Sequence, residues 1–210
     1  MVHSDHALPL RERKKIRTRQ TIRHAAVTLI ENNGFANTTV EQIAVAAEVS
    51  PSTFFRYFTS KQSVLLTDDI DRLAISALAR QPAHIPTMQA FRRALEITWS
   101  ALSEDDRKFE IRCRRLVLSI PELGELQHAE HRRSAARMGE VECRRLARDP
   151  NDFEVHVFFG ALLGAVLTAL SASHNLLGAV LRALDFVEAG LPLQRSHATE
   201  PDRSTEPGLG

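Results

Sequence analysis

The sequence predicts an all-α protein of about nine helices, with an N-terminal three-helix helix-turn-helix domain followed by a larger helical domain. Long proline-free segments carry apolar residues three and four positions apart, which is the spacing of one helix face. No segment keeps the strict alternation that is typical of a half-buried strand. Of the 210 residues, 43% are hydrophobic and 25% are charged, which is an ordinary globular composition with ample material for a core.

The first two predicted helices have clear ends. Helix 1 spans residues 10 to 33, and Gly34 supplies the stop expected just past a helix C-terminus. Helix 2 opens at a capping box formed by Thr39 and Gln42 and runs through Ala47. The inward stripe of helix 1 comprises Ile22, Ala25, Ala26, Leu29 and Ile30.

The third helix follows a tight turn from Glu48 to Ser50. Ser50 is a favourable N-cap, and Pro51 occupies the first helical position, where its missing N–H costs nothing. The helix ends near Phe58. Helices 2 and 3 with their short turn therefore predict a helix-turn-helix that helix 1 supports.

Six more helices are predicted beyond Ser60, which caps a long helix that continues to the break at Pro82 and Pro86. Asp152 caps the most apolar helix of the chain. Apolar stripes mark these helices from Val64 to Leu78, from Phe91 to Leu102, from Phe109 to Ile120, through Met138 and Val141, from Phe153 to Ala172, and from Leu177 to Val187.

The N-terminal part of the chain is basic, whereas the remainder is mildly acidic. Residues 1 to 61 hold nine Lys and Arg against five acidic residues, a net charge of +4, and the rest carries −3. A basic end of this kind favours contact with a polyanion, either nucleic acid or an anionic membrane.

Helix 3 presents a polar face that suits DNA. Phe54 and Phe58 fall on one side of the helix, whereas Ser52, Thr53 and Arg56 fall on the opposite side. Hydroxyl groups bond phosphates or base edges, and an arginine fork matches guanine in a major groove that admits a helix. With the flanking aromatic residues, the N-cap and the starts of helices 2 and 4, the predicted DNA-binding residues are Thr39, Ser50, Ser52, Thr53, Phe55, Arg56, Tyr57 and Lys61.

The segments from Thr38 to Ala44 and from Val49 to Lys61 resemble the DNA-binding region of the TetR family of bacterial repressors, over about residues 15 to 66. The resemblance implies a homodimer whose C-terminal domain binds a small inducer, which releases the recognition helices from their operator. Because a two-fold dimer presents two recognition helices related by its axis, the predicted operator is palindromic. Two positions depart from the family pattern. Phe55 stands where tyrosine is usual, and Glu48 stands where the turn usually has glycine.

The second half is similar to mycofactocin-type regulators, a TetR subgroup, through residues 61 to 69, 115 to 123 and 182 to 191. This similarity implies a fatty acyl or acyl-CoA-like inducer. The apolar faces of the helices after Pro86 suit a long hydrophobic ligand, and an arginine beside them suits an anionic headgroup. The predicted ligand-binding residues are Phe91, Leu95, Trp99, Phe109, Arg112, Cys113 and Val117.

The uncharged stretch from Val157 to Ala172 contains the pair Gly160 and Gly164 and raises the alternative of a transmembrane helix. It is shorter than the roughly 20 residues that span a bilayer. A homodimer interface is favoured, in which this helix and the last one pack against those of a second copy. A further alternative is a membrane-surface or protein-docking module anchored by helix 1, whose stripe holds only Ala and small aliphatic residues.

The sequence contains no phosphate-binding glycine loop, nucleophile elbow or dinucleotide fingerprint. His128 and His131 have metal-ligand spacing without supporting ligands, so they are interpreted as a solvated helix face. Cys113 and Cys143 lie in no redox or metal pattern. We therefore expect a cytoplasmic, non-enzymatic protein with no cofactor, no metal and no membrane contact.

These observations predict four regions of the chain. They are a flexible arm over residues 1–9, a helix-turn-helix DNA-binding domain over 10–59, a ligand-binding and dimerisation domain over 60–192, and a disordered tail over 193–210. The predicted partners are a double-stranded DNA operator, a small hydrophobic inducer and a second copy of the chain. The predicted function is a ligand-responsive transcriptional repressor.

Overall fold

The computed structural model describes residues 9–66, 69–171 and 175–192, and over these ranges the protein is all-α, as predicted. Most of the predicted arm and the whole predicted tail lie outside the described residues. The ten α-helices in these ranges are α1 (Leu10–Asn33), α2 (Val40–Ala46), α3 (Pro51–Tyr57), α4 (Lys61–Leu66), α5 (Asp69–Ala79), α6 (Thr87–Ala101), α7 (Glu104–Leu118), α8 (Gly124–Leu146), α9 (Phe153–Ser171) and α10 (Leu176–Glu188).

Helices α1 to α3 pack together around the side chains that were predicted to face inward. The capping box is formed: the Thr39 hydroxyl accepts the backbone N–H of Gln42 at 3.2 Å, and the Gln42 side chain accepts that of Thr39 at 2.9 Å. Ser50 caps α3 by accepting the N–H of Thr53 at 3.1 Å. The buried residues of this cluster are Ile22, Ala26, Ile43, Ala47, Phe54, Phe58 and Val64.

The turn between α2 and α3 places a residue other than glycine in the left-handed region. Glu48 has a φ of 54°, where an L side chain costs roughly 1 to 2 kcal/mol. The backbone N–H of Val49 donates to the carbonyl oxygen of Ala44 at 2.9 Å and closes the turn. The packing of α3 against α1 and α2 therefore holds Glu48 in a conformation that the residue does not favour by itself.

Glu48→Gly is expected to stabilise the protein by about 0.5 to 1 kcal/mol, because glycine relieves this strain at some cost in unfolded-chain entropy. Urea unfolding of the two proteins measures the difference. The matched control is Glu96→Gly on the exposed middle of α6, where φ is helical and the same change is expected to cost about 1 kcal/mol. Equal destabilisation by both changes would show that the turn is not strained.

The helix predicted from Ser60 to Pro82 is helical in both of its described parts, α4 and α5. Residues 67 and 68, which separate them, lie outside the described residues. Both helices keep the predicted apolar stripe: α4 buries Val64 and Leu65, and α5 buries Ala74, Ala77 and Leu78.

Helices α5, α6, α8, α9 and α10 share the largest apolar core of the protein, which includes Phe91, Met138, Phe159, Leu162 and Leu184. A buried ion pair borders this core, with the side chains of Glu142 and Arg145 0% and 2% exposed. Arg145 also donates to the carbonyl oxygens of Pro82 and Ile85, at 2.6 and 3.0 Å. The pair therefore fixes the loop between α5 and α6 against α8.

A separate apolar cluster joins the helix-turn-helix unit to the second domain. It contains Val27 and Ile30 from α1, Leu65 from α4, and Phe109 and Val117 from α7, all of them buried. Because α1 contributes to both this cluster and the core around Phe54, α1 packs with both predicted domains.

Helix α9 keeps an apolar face outside the core. Its 19 residues have a mean hydropathy of 1.9, so by length and composition alone it is long and apolar enough to cross a membrane, and only 22% of its most apolar window is buried within the chain. Phe159, Leu162 and Val166 belong to the large core. We call six exposed residues on its other side the α9 stripe: Phe153, Val157, Gly160, Ala161, Gly164 and Thr168. Glu154 and Ser171, near the two ends of the helix, are exposed as well.

Candidate nucleic-acid interface and ligand cavity

The outer face of α3 carries most of the side chains that were predicted to bind DNA. Ser52 and Arg56 are exposed, and Phe55 is 54% exposed although it is a large apolar residue. Thr53 and Tyr57 are half-buried. A short helix that shows one arginine, hydroxyl groups and a largely exposed aromatic ring to solvent can enter a DNA groove.

Neighbouring groups orient the polar side chains of this face. The Ser50 hydroxyl donates to Thr53 Oγ1 at 3.0 Å, so the two hydroxyl groups are held together at the N-terminus of α3. The guanidinium carbon of Arg56 lies 5.4 Å from the centre of the Tyr57 ring, within the range of a cation–π contact. These contacts restrict the rotamers of the side chains that face outward.

Lys61 lies at the start of α4 and makes contacts that the sequence did not predict. Its ammonium group donates to the carbonyl oxygen of Thr38 at 2.7 Å and to that of Phe35, and it lies 4.1 Å from the centre of the Phe35 ring. Burial lowers the pKa of Lys61. Lys61 thus connects α4 to the loop before Thr39. Thr39, another of the predicted DNA-binding residues, is exposed. Its predicted role as a phosphate contact stays a prediction.

A cavity of about 710 Å³ lies behind this interface, and its lining has an apolar part and a charged part. Helices α4 to α10 all contribute to the apolar part, which includes Phe91, Leu95 and Trp99 from α6 and Leu163 and Val166 from α9. A volume and lining of this kind suit a small hydrophobic molecule.

The charged part of the lining comes from α1, α5, α7 and α8 and contains more arginine than acidic residues. Its arginines are Arg19, Arg23, Arg72, Arg114, Arg133 and Arg137, against Asp69, Asp71, Glu110 and Glu130. Arg137 is exposed and makes no ion pair with any residue in the described ranges. The charged part of the lining therefore has the chemistry to bind an anion beside the apolar part.

Five of the predicted ligand-binding residues line this cavity: Phe91, Leu95, Trp99, Cys113 and Val117. The other two lie elsewhere. Phe109 is buried in the cluster between α1 and α7 and stacks on His24 with ring centres 3.8 Å apart. Arg112 turns toward α1, where its Nε lies 3.3 Å from a carboxylate oxygen of Glu31. Phe109 shares one face of α7 with Cys113 and Val117 but packs against His24 of α1, and Arg112 is held by Glu31 of α1.

The sequence did not predict that Arg114 of α7 and Arg133 and Arg137 of α8 line the cavity. Arg133 and Arg137 are four residues apart and so share one helix face, but nothing in the sequence showed which face would turn to a cavity. His131 lines the cavity and His128 is exposed. Within the described parts of the chain, no group of three or more His, Cys, Asp or Glu side chains is placed to hold a metal ion.

Two family models match the chain, one on each domain. The model described as bacterial regulatory proteins, tetR family, matches residues 22–67. The model described as the MftR C-terminal domain matches residues 85–192, which is more than half of the chain. The first match covers the helix-turn-helix, and the second covers most of the cavity lining.

Two relatives and two solved structures agree with these matches. The chain is 47% identical over 83 residues to the HTH-type transcriptional regulator TcmR of Streptomyces glaucescens, which covers 39% of this chain and 37% of TcmR. It is 28% identical over 187 residues to MftR of Mycobacterium tuberculosis, which is named as a mycofactocin biosynthesis transcriptional regulator, over 85% of this chain and 93% of MftR.

Both solved structures are of SmeT. One, the SmeT–triclosan complex, shares 22% identity and a TM-score of 0.57 and covers 92% of this chain and 100% of SmeT. The other, described as the repressor of the Stenotrophomonas maltophilia multidrug efflux pump SmeDEF, shares 20% identity and a TM-score of 0.53, over 82% and 89%. At this identity the likeness shows the fold. With one family model on the helix-turn-helix and a second over the larger domain, the chain belongs to the TetR family of bacterial regulatory proteins.

Proposed function

We propose that this protein is a dimeric transcriptional repressor that binds a palindromic operator through α3 and leaves it when a hydrophobic anion fills the cavity. Residues 10–59 would bind DNA, and residues 60–192 would bind the ligand and form the dimer. The observation that carries the proposal is the exposed polar face of α3 on a basic domain, with an amphiphilic cavity directly behind it. A regulator of this kind acts in the cytoplasm, where the DNA is.

At the DNA, α3 would lie in the major groove with Arg56, Thr53 and Ser52 toward the bases. Phe55 and Tyr57 flank that face and would contact the sugar-phosphate backbone or a thymine methyl group. Thr39 and Ser50 lie at helix N-termini, where backbone N–H groups and a partial positive charge favour phosphates.

The dimer would form through α9 and α10. The α9 stripe is exposed in the protomer, and its small residues Gly160, Ala161 and Gly164 permit close approach of a second helix. Phe186 on α10 is 40% exposed as well. A four-helix interface made of two copies of this pair would cover both surfaces.

The inducer would have a long apolar tail and an anionic headgroup. The tail fits the apolar part of the lining, and the headgroup fits the arginines of the charged part, which come from α1, α5, α7 and α8. A fatty acyl-CoA has this chemistry, and it is the inducer class that the resemblance to mycofactocin-type regulators implies.

Selection of bound duplexes from a random library, with and without lauroyl-CoA, tests both partners. We expect an inverted repeat whose half-site centres lie about one helical turn apart or a multiple of it. Lauroyl-CoA below its micelle concentration is expected to deplete these duplexes. Selected sites without a dyad would contradict the dimer. A protein that binds no duplex but co-sediments with anionic vesicles would favour the membrane-surface alternative.

A further inference from the structure

A chain of hydrogen bonds and ion pairs connects the end of α3 with the wall of the cavity. Arg19 Nη1 of α1 donates to the backbone carbonyl oxygen of Tyr57, the last residue of α3, at 3.1 Å. Arg19 Nε lies 3.4 Å from Asp69 Oδ1 at the start of α5. Asp69 Oδ2 lies 3.3 Å from Arg23 Nη1, and Arg23 donates to both carboxylate oxygens of Glu110 at 2.7 and 3.2 Å. We call Arg19, Asp69, Arg23 and Glu110 the ionic relay.

The relay is largely withdrawn from solvent, and all four residues line the cavity. Their side chains are 21%, 21%, 4% and 16% exposed in the order Arg19, Asp69, Arg23, Glu110. Burial alone would lower the pKa of Arg23, but the Glu110 carboxylate and its hydrogen bonds outweigh burial and raise it. Burial lowers the pKa of Arg19 despite the attraction of Asp69. Arg19 contacts Asp69 once, at 3.4 Å, whereas Arg23 makes two hydrogen bonds with Glu110. Arg19 is the guanidinium with fewer carboxylate hydrogen bonds, and it is the one that binds α3.

We propose that Asp69 is a positioning residue for release from DNA: an anionic group in the cavity competes with Asp69 for Arg19, which then leaves the Tyr57 carbonyl. This inference rests on the proposed function. Both arginines face the cavity, so an incoming carboxylate or phosphate can reach them. The Arg19 guanidinium also lies 4.5 Å from the centre of the Phe58 ring, so its displacement removes both of its contacts with the C-terminal end of α3. By linkage, the operator must in turn affect the cavity.

The test uses the full chain, a selected operator duplex and acrylamide quenching of Trp99, the single tryptophan and a cavity residue. In the wild type, operator binding is expected to change the quenching constant of Trp99. Asp69→Asn keeps the side-chain size and removes the charge, so it is expected to bind the operator and lose more than half of that change. Arg19→Lys keeps the charge but loses the planar guanidinium that contacts two partners. It is also expected to lose more than half of the operator-induced change in Trp99 quenching.

Glu31→Gln is the matched control, because the pair of Glu31 with Arg112 also joins α1 to α7 but lies outside this cavity. The Glu31→Gln protein is expected to show the same operator-induced change in the Trp99 quenching constant as the wild type. The relay is overturned if the operator leaves wild-type quenching unchanged, if Asp69→Asn and Arg19→Lys keep the full change, or if Glu31→Gln loses as much. If Asp69→Asn does not fold, the operator-induced change in Trp99 quenching of Arg19→Lys alone tests the relay. A wild type that binds no duplex overturns the proposed function and the relay together.

Discussion

A single charge on the α9 stripe, introduced by Ala161→Arg, is expected to make the protein monomeric and to weaken operator binding by about 10²-fold or more. The charge would have to be buried without a partner in the proposed four-helix interface. Ala161 is exposed in the protomer, so the monomer itself should fold. Deleting α9 would not be equivalent, because its Phe159 and Leu162 belong to the large core.

Sedimentation velocity and operator titration measure the two effects of this change. Ala136→Arg is the control, since it introduces the same side chain at an exposed alanine of α8. It is expected to remain dimeric and to bind the operator as the wild type does. An Ala161→Arg protein that sediments as a dimer would place the interface on another surface.

Arg56→Ala is expected to relax the preference at one base pair of the operator by roughly 1 to 3 kcal/mol. Arg56 is exposed on the outer face of α3, where its fork can reach two acceptors of one guanine. Binding to a panel of operators with single base changes measures the preference. Arg132→Ala, at an exposed arginine of α8, is expected to leave the whole panel unchanged.

Lys61→Ala is expected to weaken binding to every member of that panel alike and to lower the salt slope by about one unit, as loss of a phosphate contact does. The variant also removes the hydrogen bonds to the carbonyl oxygens of Phe35 and Thr38, so its thermal stability is measured alongside. A reversed pattern, with Lys61→Ala changing the base preference and Arg56→Ala changing only the affinity, would contradict the assignment of Arg56 to the bases and of Lys61 to a phosphate.

Local patterns in the sequence were enough to predict the helix-turn-helix. The cap residues Thr39 and Ser50 and the stop at Gly34 act within a few residues of the chain, so their spacing alone specifies the ends of α1 to α3. Phe54 and Phe58 were placed on one side of α3 for the same reason, because helical periodicity is a local property, and both are buried. At Glu48 the resemblance showed only that glycine is usual in the turn, and the left-handed backbone there is a finding of the structure.

Contacts between distant segments were beyond the reach of such patterns. Arg112 and Arg114 are two residues apart on α7, yet Arg112 pairs with Glu31 and Arg114 lines the cavity. The face that turns to the cavity depends on how α7 packs against α1, which periodicity does not specify. The pairing of Arg23 with Glu110, 87 positions apart, is likewise a property of the folded protein.

The affinity of the protein for lauroyl-CoA, followed by Trp99 fluorescence with and without the selected operator, tests the central claim most directly. A ligand that releases DNA must bind the free protein better, so the operator is expected to weaken lauroyl-CoA binding by the factor by which lauroyl-CoA weakens operator binding, about 5- to 150-fold. Equal affinity for lauroyl-CoA in the presence and absence of the operator would contradict ligand-controlled release.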